Sequence, residues 1–363
     1  MLARISPDAA HWDYPVVTPA VVKNCAELGI DVDAEILGLC GVDQLYAFLN
    51  NVEKPLNRLL AQQCKVKEEV IIAKNFDAGS YQEPPVSLLP TMFIPLQKAR
   101  LPGVSLYLHG SMADRSYTSF SDVDDLVVLR KEAWQDLRGL LRIGTMLTKI
   151  CREYQTLDPL QHHGHWLITE FDLLSYDPSY MPPVVLQDAR RVVGDDRVEF
   201  HLQDNPCGIA ENATATIRAI NHRLEQACRR GGLNAYYLKR FVGDVAILPA
   251  YLYQSRGEMI SKAAAIRRAE ATYSPSGYKA VEWATMVRQE FDMCVKNHRM
   301  RALQSCATHG ACRRQQAEKL FKRFSIWINN EHKLGLNQKV RECIKTFARE
   351  SESLNTAAST SCQ

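Results

Sequence analysis

Residues 104–129 read VSLYLHGSMADRSYTSFSDVDDLVVL, and the fold follows from how this stretch divides. Val104 to Leu108 alternates apolar and polar positions and runs into His109-Gly110-Ser111, the profile of a buried strand feeding a tight turn. Ala113 to Thr118 can start a short helix. Asp122 to Leu129 is rich in Val and Leu and reads as a second strand. Two aspartates, Asp122 and Asp124, sit one residue apart, so on an extended backbone both carboxylates leave the same face. Like charges placed together on an apolar strand repel unless a cation compensates, and hard oxygen ligands suit Mg²⁺. A strand end with two solvated carboxylates is the plainer alternative. Gly110-Ser111, eleven residues upstream of Asp122, shifts the balance. A Gly-Ser turn lets backbone N–H groups and a hydroxyl approach a phosphate that a side chain would obstruct.

Outward from this stretch, Lys131 to Tyr154 predicts a long amphipathic helix and His163 to Thr169 (HGHWLIT) a third strand. The order strand, helix, strand, helix, strand predicts a mixed α/β unit with a small sheet. Upstream, Ala20 to Leu28, Asp43 to Phe48 and Pro55 to Lys74 carry apolar residues at helical spacing, and Asp77 to Pro90 is rich in turn formers. Beyond Pro182-Pro183 the strand signal fades. Helical periodicity then covers Asn212 to Arg230, Leu233 to Gln254, Ser261 to Ala271, Ala280 to Met300 and Arg314 to Arg349. The expected organisation is α/β (α+β): a helical N-terminal extension over 1–90, a mixed-sheet catalytic core over 91–205, a basic all-α domain over 206–350 and a disordered tail over 351–363.

With 363 residues, 46% hydrophobic and 23% charged, the chain excludes the disordered and fibrous classes. The best candidate for a membrane span, Phe241 to Tyr253, is short and holds Asp244 and Pro249, and the first fifteen residues lack the apolar core of a secretory signal. A cytoplasmic protein with no membrane role is expected. The eleven cysteines contain no C-x-x-C pair, and Cys306, His309 and Cys312 match no recurrent zinc spacing, so no metal is expected there. The net charge of +3 hides an asymmetry. From Thr216 to Arg349 there are 25 Lys and Arg against 10 Asp and Glu, a net of +15, and the rest of the chain carries −12. Part of this is solvated helical surface, yet such a half also attracts a nucleoside triphosphate or a nucleic-acid backbone.

The stretch His109 to Leu129 resembles the signature of the polymerase-beta-like nucleotidyltransferase superfamily: a strand ending in Gly-Ser, about ten residues, then Asp-apolar-Asp on the next strand. The resemblance implies two Mg²⁺ ions, a nucleoside triphosphate donor and nucleotidyl transfer with loss of pyrophosphate. It places Gly110 and Ser111 on the phosphates and Asp122 and Asp124 on the metals. Minimal members often carry arginine three residues after the serine. Here Asp114 holds that position and Arg115 is displaced by one, while Asp125 stands where an apolar residue is usual. Members often add a third carboxylate that completes the metal site and accepts a proton. Glu170 is the choice favoured here, with Asp172 and Asp158 as alternatives; Thr169-x-x-Asp172 also fits a helix cap. Of the clustered histidines, His163 and His165 share a strand face and could contact acceptor or base, and His162 points away. Sheet packing is the plainer role for all three.

A second, shorter resemblance lies in the helical half. Residues 251–262, YLYQSRGEMISK, are similar to a helix-turn-helix segment of aminoglycoside adenylyltransferases, which implies that Lys262 meets the nucleotide phosphates. The expected activity is transfer of a nucleoside monophosphate, AMP by default, to a hydroxyl on a small molecule, a protein or an RNA end. The basic half tilts the acceptor toward a polyanion such as tRNA. A catalytically silent binding module, for example one half of a toxin–antitoxin pair, is the alternative, and it would be expected to have lost one of the two aspartates.

Overall fold

The computed structural model describes residues 22–296 and 337–359, apart from 24, 27–28, 40, 61–66, 83–85, 119, 159–160, 162–163 and 230–234. The chain divides into two compact units. The first comprises residues up to Ser116, Asp122–Asp177 and Leu186–Asp204; the second comprises Tyr117–Ser121, Pro178–Val185 and everything from Asn205 onward.

The first unit is mixed α/β. In chain order it holds α1 (Gly41–Leu60), β1 (Lys67–Ile72), β2 (Lys74–Asn75), α2 (Leu89–Ala99), β3 (Val104–His109), α3 (Gly110–Asp114), β4 (Asp124–Leu129), α4 (Lys131–Trp134), α5 (Leu137–Leu157), β5 (Trp166–Thr169), α6 (Glu170–Leu174), β6 (Arg190–Val193) and β7 (Arg197–Leu202). Five strands form one sheet in the order β2-β6-β3-β4-β5. β3 runs antiparallel to both β4 and β6, whereas β4 and β5 are parallel. Every residue of β3 and all but the first of β4 are buried, as expected of central strands covered on both faces. That is why β4 reads as a continuous apolar run after its acidic start. β1 and β7 form a separate antiparallel ribbon.

Several elements depart from the sequence reading. Lys67–Ile72, placed by periodicity in the helix expected over Pro55 to Lys74, is a strand, because Glu68, Val70 and Ile72 face outward in a ribbon rather than lining one helical stripe. The long helix expected over Lys131 to Tyr154 is two helices, broken where the Asp136 side chain caps the second by accepting from the N–H groups of Arg138 and Gly139. β6 and β7 lie beyond Pro183, where no strands were expected. Gly194 makes their connection possible. It has φ +85°, and a Cβ there would stand 2.2 Å from Ser105 Oγ.

Most of the second unit is helical: α7 (Pro206–Arg229), α8 (Ala235–Gln254), α9 (Lys262–Thr272), α10 (Pro275–Lys296) and α11 (Gln338–Ser359). Arg223 on α7 makes a two-pronged bond to Asp244 on α8, at 2.7 and 2.8 Å. α11 runs through the segment expected to be a disordered tail. Ser351 and Asn355 are buried, bonded to Tyr273 and Thr214 respectively, and these contacts order the helix as far as Ser359. The Cys306, His309 and Cys312 group lies outside the described residues, as do His162 and His163. Among the described residues no helix is long and apolar enough to cross a membrane.

Candidate functional site

Antiparallel pairing of β3 with β4 sets His109 opposite Asp124, so the Gly-Ser turn that follows β3 lands beside the aspartate pair. Gly110 has φ +65°, and a Cβ built on it would stand 3.1 Å from Asp124 Oδ2. The glycine therefore serves two purposes: it permits the left-handed backbone, and it leaves the space that the Asp124 carboxylate occupies. At the other end of α3, Tyr81 donates to the Met112 carbonyl (2.9 Å) and Arg190 to that of Ala113 (3.2 Å). The turn is thus pinned from its C-terminal side. Asp122 and Asp124 are both half-buried, as is Ser111. Gly110 and Asp124 are thus in contact, with Ser111 and Asp122 close to them in the chain, and the oxygen donors these residues offer are of the kind that suits a hard divalent cation. Gly110→Ala is expected to cost about 1–2 kcal/mol from the left-handed backbone alone and to displace the Asp124 carboxylate; chemical denaturation would measure the first effect.

Arg115 is held elsewhere. Its Nη2 donates to Ser80 Oγ at 2.7 Å, and Ser80 in turn donates to Asp77, whose side chain caps the following turn. The guanidinium is thus anchored to the Asp77–Ser80 turn. Lys262 opens α9 in the second unit, exposed and just after the Ser261 cap, so the sequence resemblance alone carries its phosphate role.

Glu170, the third carboxylate favoured by the sequence, lies away from the aspartate pair. β5 pairs in parallel with β4, with Leu129 opposite Thr169, so Glu170 emerges at the far end of the strand from Asp124. Five residues of strand separate the two levels, roughly 16 Å at about 3.3 Å per residue. Glu170 instead accepts from the Lys131 backbone, and burial pushes its carboxyl above the usual range. Asp172 accepts from both the N–H and the hydroxyl of Thr169, at 2.7 Å each, completing a capping box. Asp158, the C-cap of α5, lies toward the Asp124 end of the sheet. α5 returns antiparallel to β4, Tyr154 in its last turn reaches Asp125, and Gln161 just beyond grips Val123. Asp158 lies between these two anchors and is buried.

Asp125 has a different task from its neighbours. It is wholly buried, and its Oδ2 accepts from Tyr154 Oη at 2.5 Å and from His165 Nδ1 at 2.6 Å. The other ring nitrogen of His165 faces the Leu147 carbonyl at 2.9 Å. The carbonyl can only accept, so Nε2 carries a proton; with Asp125 ionised, Nδ1 donates to it as well and the ring is cationic. Burial alone would pull the imidazole down; the Asp125 carboxylate, helped by Cys151, overrides it and holds His165 well above its ordinary value. His165 thus neutralises Asp125 internally, and it is a core residue rather than an acceptor contact. The sequence signal for this was Asp125 itself, an acid at a strand position followed by an apolar run from Leu126 to Leu129.

Two further features lie away from the aspartate pair. Glu68, Glu199 and His201 form a group on the β1–β7 ribbon whose ligand atoms lie within 4.8 Å of one another. A cleft of about 690 Å³ at the Val104 end of the sheet is bordered by Arg100, Arg130 and Arg191. Neither includes Gly110 or the pair: the group lies on the separate β1–β7 ribbon, and the cleft lies at the opposite end of β3 and β4 from the turn and the aspartates. Comparison with protein-family models, with curated proteins and with solved structures finds no match to this chain.

Proposed function

We propose that the chain is a Mg²⁺-dependent nucleotidyltransferase that moves a nucleoside monophosphate, AMP by default, from a triphosphate to a hydroxyl of its acceptor. One observation carries this reading: Gly110 packs its missing side chain's space against the carboxylate of Asp124, which joins a phosphate-type turn to an acidic pair at one end of the sheet. In the reaction, the acceptor oxygen bonds to the α-phosphorus, the bond from that phosphorus to the bridging oxygen of the β-phosphate breaks, and pyrophosphate leaves. Mg²⁺, when bound, would supply charge neutralisation on the phosphoryl oxygens. Asp122 and Asp124 would hold it, and the Gly110-Ser111 amides and hydroxyl would orient the phosphates. The proton lost by the acceptor needs a base at this end of the sheet, a position that Asp158 has and Glu170 lacks.

The basic excess of the C-terminal half supports a polyanionic acceptor such as RNA. Incubating the protein with each labelled triphosphate and with RNA, protein and metabolite fractions should transfer label to one fraction, with Mg²⁺-dependent pyrophosphate release. Absence of both with every triphosphate would overturn the reading. Within it, Asp158→Asn is expected to lower transfer by about 10²–10⁴-fold, the range for a lost general base, while Glu170→Gln stays near wild type. The reverse pattern would restore Glu170 to the site.

A further inference from the structure

The aspartate pair starts where the sheet runs out. The last β3–β4 partners are His109 and Asp124, after which β3 turns away at Gly110. On the other side, the β4–β5 ladder begins only at Leu126 and Trp166. Val123, which joins the two aspartates, therefore has no strand residue opposite it in either ladder. Its N–H nevertheless donates to Gln161 Oε1 at 3.0 Å, and its carbonyl accepts from Gln161 Nε2 at 2.9 Å. One carboxamide thus makes the two bonds that a neighbouring strand would make. Gln161 is 5% exposed and Val123 is wholly buried, so the linking residue is fixed through both its backbone and its side chain. Gln161 is itself set by a turn, its N–H donating to the Asp158 carbonyl at 2.9 Å.

We propose that Gln161 is a positioning residue for the acidic pair: its side chain replaces a missing strand at Val123 and fixes the separation at which Asp122 and Asp124 present their carboxylates. This inference rests on the reading of that pair as metal ligands. Two carboxylates can share one small, hard cation only if their backbone holds them at a set distance against their mutual repulsion. Without Gln161 the Val123 amide and carbonyl would be buried and unpaired, and the segment would shift to satisfy them. Residues that orient metal ligands from behind typically change metal affinity by about 10–100-fold.

Mn²⁺ binding to the full chain, followed by electron paramagnetic resonance, tests this without any acceptor. Wild type should show a saturable site that Asp122→Asn removes. Gln161→Leu should weaken it at least about tenfold at temperatures far below its unfolding midpoint. Gln44→Leu is the control for mere destabilisation: Gln44 is equally buried and donates to the Ile36 carbonyl at 3.1 Å, away from the pair. It should lower the unfolding midpoint and leave Mn²⁺ affinity intact. If Gln161→Leu does not fold, Gln161→Asn, one methylene too short to make both bonds, takes its place. Wild-type affinity in the Gln161 variant, or equal weakening by the Gln44 variant, would overturn the positioning role while the metal reading stands. A wild-type chain that binds no Mn²⁺ at a saturable site would remove the metal reading and this inference with it.

Discussion

Asp122→Asn and Asp124→Asn are each expected to reduce nucleotidyl transfer by about three orders of magnitude, because the metal they would hold contributes several kcal/mol of charge stabilisation and each ~1.4 kcal/mol is a factor of ten. The fold should survive. Both side chains are half-buried, Asp124 at the first position of β4 and Asp122 two residues before it, and neither belongs to the wholly buried Asp125–His165 pair. Removing one of two neighbouring negative charges also relieves repulsion, so the unfolding midpoint without Mg²⁺ should stay level or rise. Adding Mg²⁺ should raise the wild-type midpoint by mass action and leave the variants unmoved. Thermal melts with and without Mg²⁺, run beside a pyrophosphate-release assay, give both readouts. Substantial transfer by either purified variant would sink the metal assignment.

The part of the site that was legible in the sequence is the part made by one local stretch. The spacing of Gly110-Ser111 and Asp122-x-Asp124 needs only a strand, a turn and an antiparallel return, and β3 and β4 supply them. The third carboxylate depends on register between strands that are distant in sequence. Proximity in the chain favoured Glu170 at the end of the third strand, but a parallel strand delivers its C-terminal residue to the wrong end of its neighbour. Asp158 stood only as an alternative, because nothing local shows that the helix ending at Leu157 returns toward Asp124. Gln161 was equally silent, because its role is two hydrogen bonds to a backbone 38 residues away. The second gap is β6 and β7. Arg190 to Leu202 carries β-branched residues on both sides of Gly194-Asp195-Asp196, a strand-turn-strand pattern weaker than the helical periodicity that follows. The two strands then join different sheets, which no local pattern specifies.

Asp125→Asn is expected to destabilise the first unit by about 3–5 kcal/mol, because breaking a buried ion pair strands the remaining charge. The pH dependence identifies the cause. His165 in the folded protein is held well above its ordinary value, so it binds its proton more tightly folded than unfolded. That contribution is fully present below about pH 6.5, the unfolded value, and is lost as pH rises through the folded value. Wild-type stability should therefore decline above about pH 6.5 from this source. In Asp125→Asn the ring loses the carboxylate that overrode its burial, so the variant lacks this decline. The gap between the two proteins should be widest in mildly acid solution and should narrow as pH rises, which denaturant titrations at several pH values would show. Removing both partners, as Asp125→Asn with His165→Gln, should cost less than the sum of the single changes, with a coupling of about 0.5–3 kcal/mol. A gap that stays constant across the pH series would mean that Asp125 acts through packing and its Tyr154 bond alone. The acid beside the candidate metal ligands would then be neutral-partnered, and the strand that presents them would be held by shape rather than by charge.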